Sequence, residues 1–574
     1  MTLTSAVTQT PQLPPREFHP ERRYTLDVFG SYPDTFNSTD VLLDQQVAAG
    51  RGDHAAIVHT GGQITYAELA VQVNQLGNEF RRLGLAEGDR VLLRSMNEPA
   101  ALIANFAALK LGAVVVPTSP LLGPDQLTQV LRDCEPKIIV VNNMLLDAVI
   151  AATPHLTAPC HVVVFDADSS RVDAAGGVAF SDLLAAGENT LDPVLRPRSA
   201  VSLLFYSSGL TRPFRAAAHL QEEMLIIPDV FGKHAWNIQA DDVVAGAGPM
   251  CFAGGYSALT TLAYRYGATT AIVPIGIPAA AMFQVIRDQG ITLLAAMPTT
   301  YQQMADAPNA NAPDLASLRI ASAGGECLPT TTLQTWRDKF NLDIFEGFGT
   351  NAMMHVFLTT AVTKHIKPGA IGTPLPGYEV AVLDGAGEQV AVGVAGQLYV
   401  RGPIGALHWG HIDSADAVAA LQQETVHDGW TRVGDWVTQD ADGAVRFVAR
   451  EEELIVRGGD SFGPRDVELV LAAHPDVVEA GVYGTTTDGA QRVHALVVLD
   501  PTTTGSEERL SQLVNDIADQ LTVRAPDDVT PVLQLPRTSF GTLLRRAQWP
   551  DGLTGNASSA SPINIPQTAR TSLS

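Results

Sequence analysis

From residue 90 to residue 141 the chain alternates in a way that few folds accommodate. Residues 90–94, 113–117 and 138–141 are short, nearly all-apolar runs. The segments between them have helical spacing: Leu127, Val130, Leu131 and Cys134 fall at i, i+3, i+4 and i+7 after Pro124. A strand covered on both faces needs no alternating polar positions, so such runs predict parallel sheets sandwiched by helices. The pattern starts earlier, with a helix over 37–50 closed by Gly50, a hairpin from 55–59 to 64–65, and helices over 66–83 and 99–111. It continues past Ile320.

A chain of 574 residues exceeds one ordinary core, so two or more domains are expected. From Tyr378 the texture changes to short strands and turns (YEVAVLD, GQLYVRG, AVRFVAR), and a new α/β unit begins near Glu451. The expected organisation is an irregular arm over 1–38, a large α/β domain of doubly wound sheets over 39–449 with a β-rich subdomain at about 378–449, a small mobile α/β lid over 450–547, and a disordered tail over 548–574 rich in Ser, Thr, Asn and Pro.

The formal net charge of -24 argues against a nucleic-acid surface and against an anionic membrane. The uncharged run 266–286 is broken by Gly267, Pro274, Gly276 and Pro278, which suits strand and turn better than a membrane span. Residues 1–20 lack an apolar signal segment, and Cys134, Cys160, Cys251 and Cys327 lie far apart with no C-x-x-C, so a cytoplasmic protein with reduced thiols is expected.

In parallel sheets ligands sit at the C-terminal ends of strands. There the apolar run 200–205 leads into FYSSGLTRPFRAAAH, residues 205–219. Small hydroxyl residues and a glycine before a basic side chain suit a loop wrapped around phosphates. The spacing is not that of a Walker A loop, and a plain strand–helix connection reads the same way.

Further stretches, in order, are LLDQQVAAGRGDHAAIV, ITYAELAVQVNQLGNEFRRLG, ALKLGAVVVPTSPLL, ASAGGECLP, EGFGTNAMMHVF, GAIGTPLPGYEVAVLD, AGQLYVRGP, DGWTRVGDW, AREEELIVRGGDSFGPRDVE and LPRTSFGTLLRR. With these, residues 36–546 resemble the adenylate-forming acyl- and aryl-CoA synthetases, most nearly the benzoate and 2-aminobenzoate CoA ligase branch. The resemblance implies ATP and Mg²⁺ as cofactors, a small aromatic acid or amine as partner, and coenzyme A as a thiol acceptor; it leaves open a homodimer. It implies nucleotide contacts from Ser207, Ser208, Gly209, Thr211, Arg212, Gly324, Gly325, Glu326, Gly347, Phe348, Gly349, Thr350, Asp435 and Arg450. Asp435 and Arg450 would meet the ribose, and the 324–326 turn would lie against adenine. Phe252, Tyr256, Phe348 and His355 would line the aromatic pocket, and Glu452 would be the hinge residue.

Four motifs depart from that pattern. In the phosphate loop the second glycine is Arg212, the proline Phe214, the lysine Arg215 and the last glycine Ala216. The glutamate expected to hold Mg²⁺ is Ala352, so no metal ligand is assigned. The C-terminal catalytic lysine is Thr542, and the threonine before Gly434 is Val433. Loss of one electrostatic contact costs roughly 10²- to 10³-fold in rate. Arg215, Arg212 or Arg545 would have to substitute, and arginine needs more room than lysine. Three functions follow: a divergent AMP-forming ligase for an amino- or hydroxy-substituted aromatic acid, a diazotase-like enzyme using nitrite on an aryl amine, or a non-catalytic protein that binds nucleotide or an aromatic ligand. Plainer roles exist for each residue: a turn for Asp435, a satisfied core histidine for His355, a solvated surface for Arg215 and for the run 451–453.

Overall fold

The computed structural model describes residues 12–156, 158–206, 215–308, 310, 312–362, 366–410, 415–458, 460–487, 490–500, 521–537, 543, 545 and 563–564. The chain divides into two compact units, residues 1–380 with 399–432 and residues 381–398 with 433–574. The division falls at Val433, whereas the sequence texture suggested 449/450. Antiparallel pairing of residues 435–439 with Val445–Arg450 explains why 433–449 go with the smaller unit.

The larger unit is built on two mixed sheets. The first runs in the order His408–Trp409, Ala216–Leu220, Val201–Tyr206, Val114–Pro117, Arg90–Arg94, Ile138–Asn142, His161–Phe165, Val178–Ala179. All neighbours are parallel from Val201–Tyr206 onward. The second runs in the order Thr373–Pro374, Val356–Thr359, Ile344–Gly349, Ile320–Ala323, Leu293–Ala296, Val243–Gly246, Thr269–Ile272, Ala55–His59, Gly62–Thr65, and is parallel from Ile344–Gly349 to Ala55–His59. The apolar runs behave as expected: every residue of Val114–Pro117, Ile138–Asn142 and Val201–Tyr206 is buried.

Local signals set the helices. Thr65 and Glu68 close a capping box at the start of Tyr66–Arg82. Pro99–Lys110 is apolar nearly all round and is buried from Ala101 to Lys110. The helix expected over 37–50 is present but wide-turned, with π turns at Asp40–Asp44 and Val47–Arg51, and it ends where Gly50 adopts φ +84°. No helix among the described residues is long and apolar enough to cross a membrane.

Over residues 12–38 short 3-10 turns at Arg16–Phe18 and Asp27–Ser31 alternate with extended chain, and several side chains pack deeply. Tyr24, Phe29, Tyr32 and Phe36 are buried. Their polar neighbours reach deep partners: Tyr24 donates to Glu222 at 2.5 Å, Tyr32 to Asp229 at 2.8 Å, and Arg22 pairs with Glu223 at 2.7 Å. Of the cysteines, only Cys134 and Cys251 are buried; all four are free.

The smaller unit packs helix Pro464–Ala472 on a sheet formed by Val477–Thr487, Ala490–Leu499 and Asp528–Pro531. Val467, Leu471, Val482, Val493, Ala495, Val497 and Val529 fill its core. Within the tail, expected without structure, Ile563–Asn564 pairs with Asp528 and Val529; its remaining residues lie outside the described residues.

Candidate active site

Two strand ends lie side by side in the larger unit. Ile320–Ala323 runs parallel to Ile344–Gly349, with Ala323 opposite Glu346. The chain leaves the first strand as Gly324, Gly325, Glu326 and continues along the second through Gly347, Phe348, Gly349. Backbone proximity dictates the glycines. A Cβ on Gly324 would sit 3.2 Å from the Gly347 oxygen, and one on Gly349 would overlap the His355 carbonyl. Gly325 has φ +85° with open space beside it, so a planar ring can approach its backbone.

The residues after Gly349 close a tight corner. The Thr350 hydroxyl accepts from Met353 N–H at 3.2 Å, and Met354 takes φ +59°, an uncommon value for a side chain of this size. His355 follows, with only 7% of its surface exposed, its ring 4.5 Å from that of Phe231. Burial pushes its imidazole down to about 3, so the ring is neutral at physiological pH. Among the described residues its Nδ1 has no hydrogen-bond partner. Asn351 Oδ1 accepts from Ala253 N–H at 3.1 Å, which brings the corner against half-buried Phe252 and the helix Ala253–Thr260. Phe348 meets Phe357 edge-on at 5.7 Å.

Tyr256 departs from expectation. It is fully buried, its hydroxyl donates to Asn105 at 2.9 Å, and its ring meets Phe205 edge-on at 5.6 Å. Both its hydroxyl and its ring are taken up by core partners, so Tyr256 packs in the core.

At the phosphate end, Ser207, Ser208, Gly209, Thr211 and Arg212 lie outside the described residues. Arg215 is half-buried at the start of Ala216–Leu220. It lies near His408, whose imidazole is pressed down to about 4 by burial and secondarily by the Arg215 charge. Ala352 stands where a metal-holding carboxylate was sought, and its methyl group cannot ligate. Among the described residues no group of three His, Cys, Asp or Glu side chains is placed to hold a metal.

Asp435, Arg450 and Glu452 belong to the smaller unit. Asp435 and Arg450 are direct cross-strand partners. Burial pushes the Asp435 carboxyl up to about 7; Arg450 opposes this, and Glu452, Glu453 and Glu451 add to it. Thr542 lies outside the described residues. Arg545, sought as a substitute cation, forks both oxygens of Glu468 at 2.7 and 2.8 Å, so its charge is already matched.

Two groups escaped the sequence reading. Glu346, on the strand leading to Gly349, is 5% exposed, and its carboxyl is pushed up to about 8 by burial, against one N–H donated from Leu328 at 3.0 Å. His219 is fully buried against Glu223 and the Asn351 carbonyl. Both lie inside quoted motifs, but a lone acid or imidazole in an apolar strand carries no periodic signal.

The AMP-binding enzyme family model matches residues 43–407, and the AMP-binding enzyme C-terminal domain model matches residues 466–541. Among curated proteins the chain is 27% identical to a benzoate–CoA ligase of Thauera aromatica over 518 residues, covering 89% of this chain and 95% of that one. It is 28% identical to a 4-hydroxybenzoate–CoA/benzoate–CoA ligase of Rhodopseudomonas palustris, covering 89% and 93%. Among solved structures, an anthranilate CoA ligase in complex with anthranoyl-AMP is similar at TM-score 0.81 and 25% identity, covering 90% and 96%. A benzoate CoA ligase from Burkholderia xenovorans LB400 is similar at TM-score 0.78 and 26% identity, covering 88% and 98%.

Proposed function

Because this chain belongs to the AMP-binding enzymes, we propose that it activates an aromatic carboxylic acid with ATP and passes the acyl group to coenzyme A. A carboxylate oxygen attacks the α-phosphorus, the bond to the β-phosphate oxygen breaks, and pyrophosphate leaves. The thiol then attacks the acyl carbonyl, AMP leaves, and the thiol proton goes to solvent. The chain's own groups take the binding tasks: the 324–326 turn for adenine, Asp435 as acceptor for ribose hydroxyls with Arg450 beside it, Glu452 as hinge, and Arg215 with Arg212 toward phosphate. Thr542 takes no charge-bearing part. No step is assigned to a metal held by the protein.

One observation carries the aromatic reading. His355 is a neutral, buried imidazole with an unpartnered Nδ1, set against Phe231 on the corner that also abuts Phe252. A ring bearing an amino or hydroxyl group that reaches this nitrogen would satisfy it, whereas a bare ring would leave it unpaired. The anthranilate and hydroxybenzoate ligases among the relatives agree in kind.

The test is pyrophosphate release from ATP and Mg²⁺ with benzoate, 2-aminobenzoate and the hydroxybenzoates, followed by thioester formation on adding coenzyme A. A substituted benzoate should exceed benzoate in kcat/KM by about tenfold, the scale of one discriminating hydrogen bond. Silence across the panel overturns the ligase reading. A diazo chromophore on adding nitrite with 2-aminobenzoate, or ATP binding without turnover, would replace it with one of the two other functions.

A further inference from the structure

Behind the 350–352 corner lies a chain of buried polar groups with no part in the steps above. His219, on Ala216–Leu220, is fully buried, as is Glu223 at the start of Glu223–Ile227. His219 Nδ1 lies 2.7 Å from Glu223 Oε2, and its Nε2 lies 2.8 Å from the backbone oxygen of Asn351. The other Glu223 oxygen accepts from Arg22 at 2.7 Å, and Arg22 also donates to the Pro403 carbonyl at 3.1 Å. Burial raises the Glu223 carboxyl, but Arg22 and His219 together outweigh it and hold the group below its ordinary value. A carbonyl oxygen can only accept, so the His219 Nε2 facing Asn351 donates to it.

A buried ion pair can do no more than fill a core, and by itself it says little about stability. This one ends elsewhere. Its last acceptor is a backbone oxygen of the corner that follows Gly349, and the Asn351 side chain carries the connection on to Ala253 N–H, the first helical residue after Phe252. One residue thus joins three elements: the strand after the phosphate loop, the corner beside the glycine turns, and the helix at the aromatic wall.

We propose that His219, clamped by Glu223 and Arg22, is a positioning residue that fixes the Asn351 carbonyl and so sets the register between the nucleotide-side corner and the helix that begins after Phe252. Its effect on turnover rests on the aryl-acid ligase reading; the placement itself does not.

Two measurements on the full chain test this, in His219→Leu, His219→Gln, Asn351→Ala and the Leu/Ala double variant. The first is amide hydrogen exchange at residues 350–355 and 252–256. The second is pyrophosphate release with the preferred aryl acid. In His219→Leu, exchange in both segments should rise by about tenfold or more as the local opening energy falls. Its kcat should fall about 10²-fold, as misplacement of reacting groups does, with KM for ATP changed less than about threefold. His219→Gln, which keeps a donor toward the Asn351 oxygen, should recover part of both. The single effects should be non-additive in the double variant. Exchange at 350–355 unchanged in His219→Leu, with only a lower Tm, overturns the proposal. If His219→Leu does not fold, Asn351→Ala decides: faster exchange at 252–256 supports the register, and unchanged exchange there overturns it. If the wild type releases no pyrophosphate, the ligase reading fails, and the exchange data alone decide the positioning.

Discussion

The segment from Ile344 to His355 contains two regions ruled by different physics. Up to Gly349 it is a partly buried strand, parallel to Ile320–Ala323 and antiparallel to Val356–Thr359, whose glycines follow from space: a Cβ on Gly347 would come within 2.9 Å of Val356, and one on Gly349 would strike the His355 carbonyl. Beyond Gly349 space permits variety and chemistry sets the terms. Ala352 stands where the family resemblance implies an acid, Met354 accepts a left-handed conformation, and His355 keeps a buried nitrogen unmet among the described residues. Backbone contact tolerates no substitution, whereas a side chain that touches only ligand can be exchanged without unfolding anything.

The sharpest break of this contrast is Gly349→Ala. The added methyl has backbone on its path, and backbone cannot swing aside as a side chain can. Overpacking of this kind costs about 3 kcal/mol, and chemical denaturation should show a loss of that size together with loss of nucleotide binding. A variant as stable as wild type would mean that the strand end relaxes freely, and the steric half of the comparison would fall.

The second region calls for the opposite experiment. Ala352→Glu, paired with Thr542→Lys, restores two charges without crowding the strand. One oriented electrostatic contact is worth roughly 10²-fold in rate, so pyrophosphate release should rise by about that factor and become more sensitive to Mg²⁺, with Tm little changed. A large fall in Tm with no gain in rate would show that the corner is packed as strictly as the strand.

What was legible in the sequence follows the same line. Strands at 90–94 and 138–141 and the helix over 66–83 were readable because apolar runs and helical spacing are local signals. The glycine turns were readable as motifs. The arm's packing was not: Tyr24 and Tyr32 find their partners in Glu222 and Asp229, nearly two hundred residues away. Tyr256 was misplaced because the helix Ala253–Thr260 is buried on almost every side, so residue type alone could not tell its pocket face from its core face. His219 and Asn351 meet across 132 residues through a backbone oxygen, which leaves no trace in residue type.

The smallest effect expected is also the most discriminating, because two neighbours of Gly349 titrate with opposite sign. Glu346 is raised from 4.5 to about 8 by burial. The folded state then holds a proton that the unfolded state has lost, so its contribution is full below about 4.5 and disappears as pH rises through 8. His355 is lowered from 6.5 to about 3, also by burial. Here the unfolded state holds the extra proton, so its contribution is full above about 6.5 and is lost as pH falls through 3. Together they favour the fold most between about 4.5 and 6.5. Glu346→Gln, which keeps an acceptor for Leu328 N–H, should flatten the decline from pH 6.5 to 8 and leave the acid limb alone. His355→Phe should flatten the acid limb only. Urea unfolding of both variants at pH 4, 6 and 8 reads the two slopes separately. If either substitution flattened both limbs, the strand end and the corner would titrate as one unit, and the division at Gly349 would be one of sterics alone.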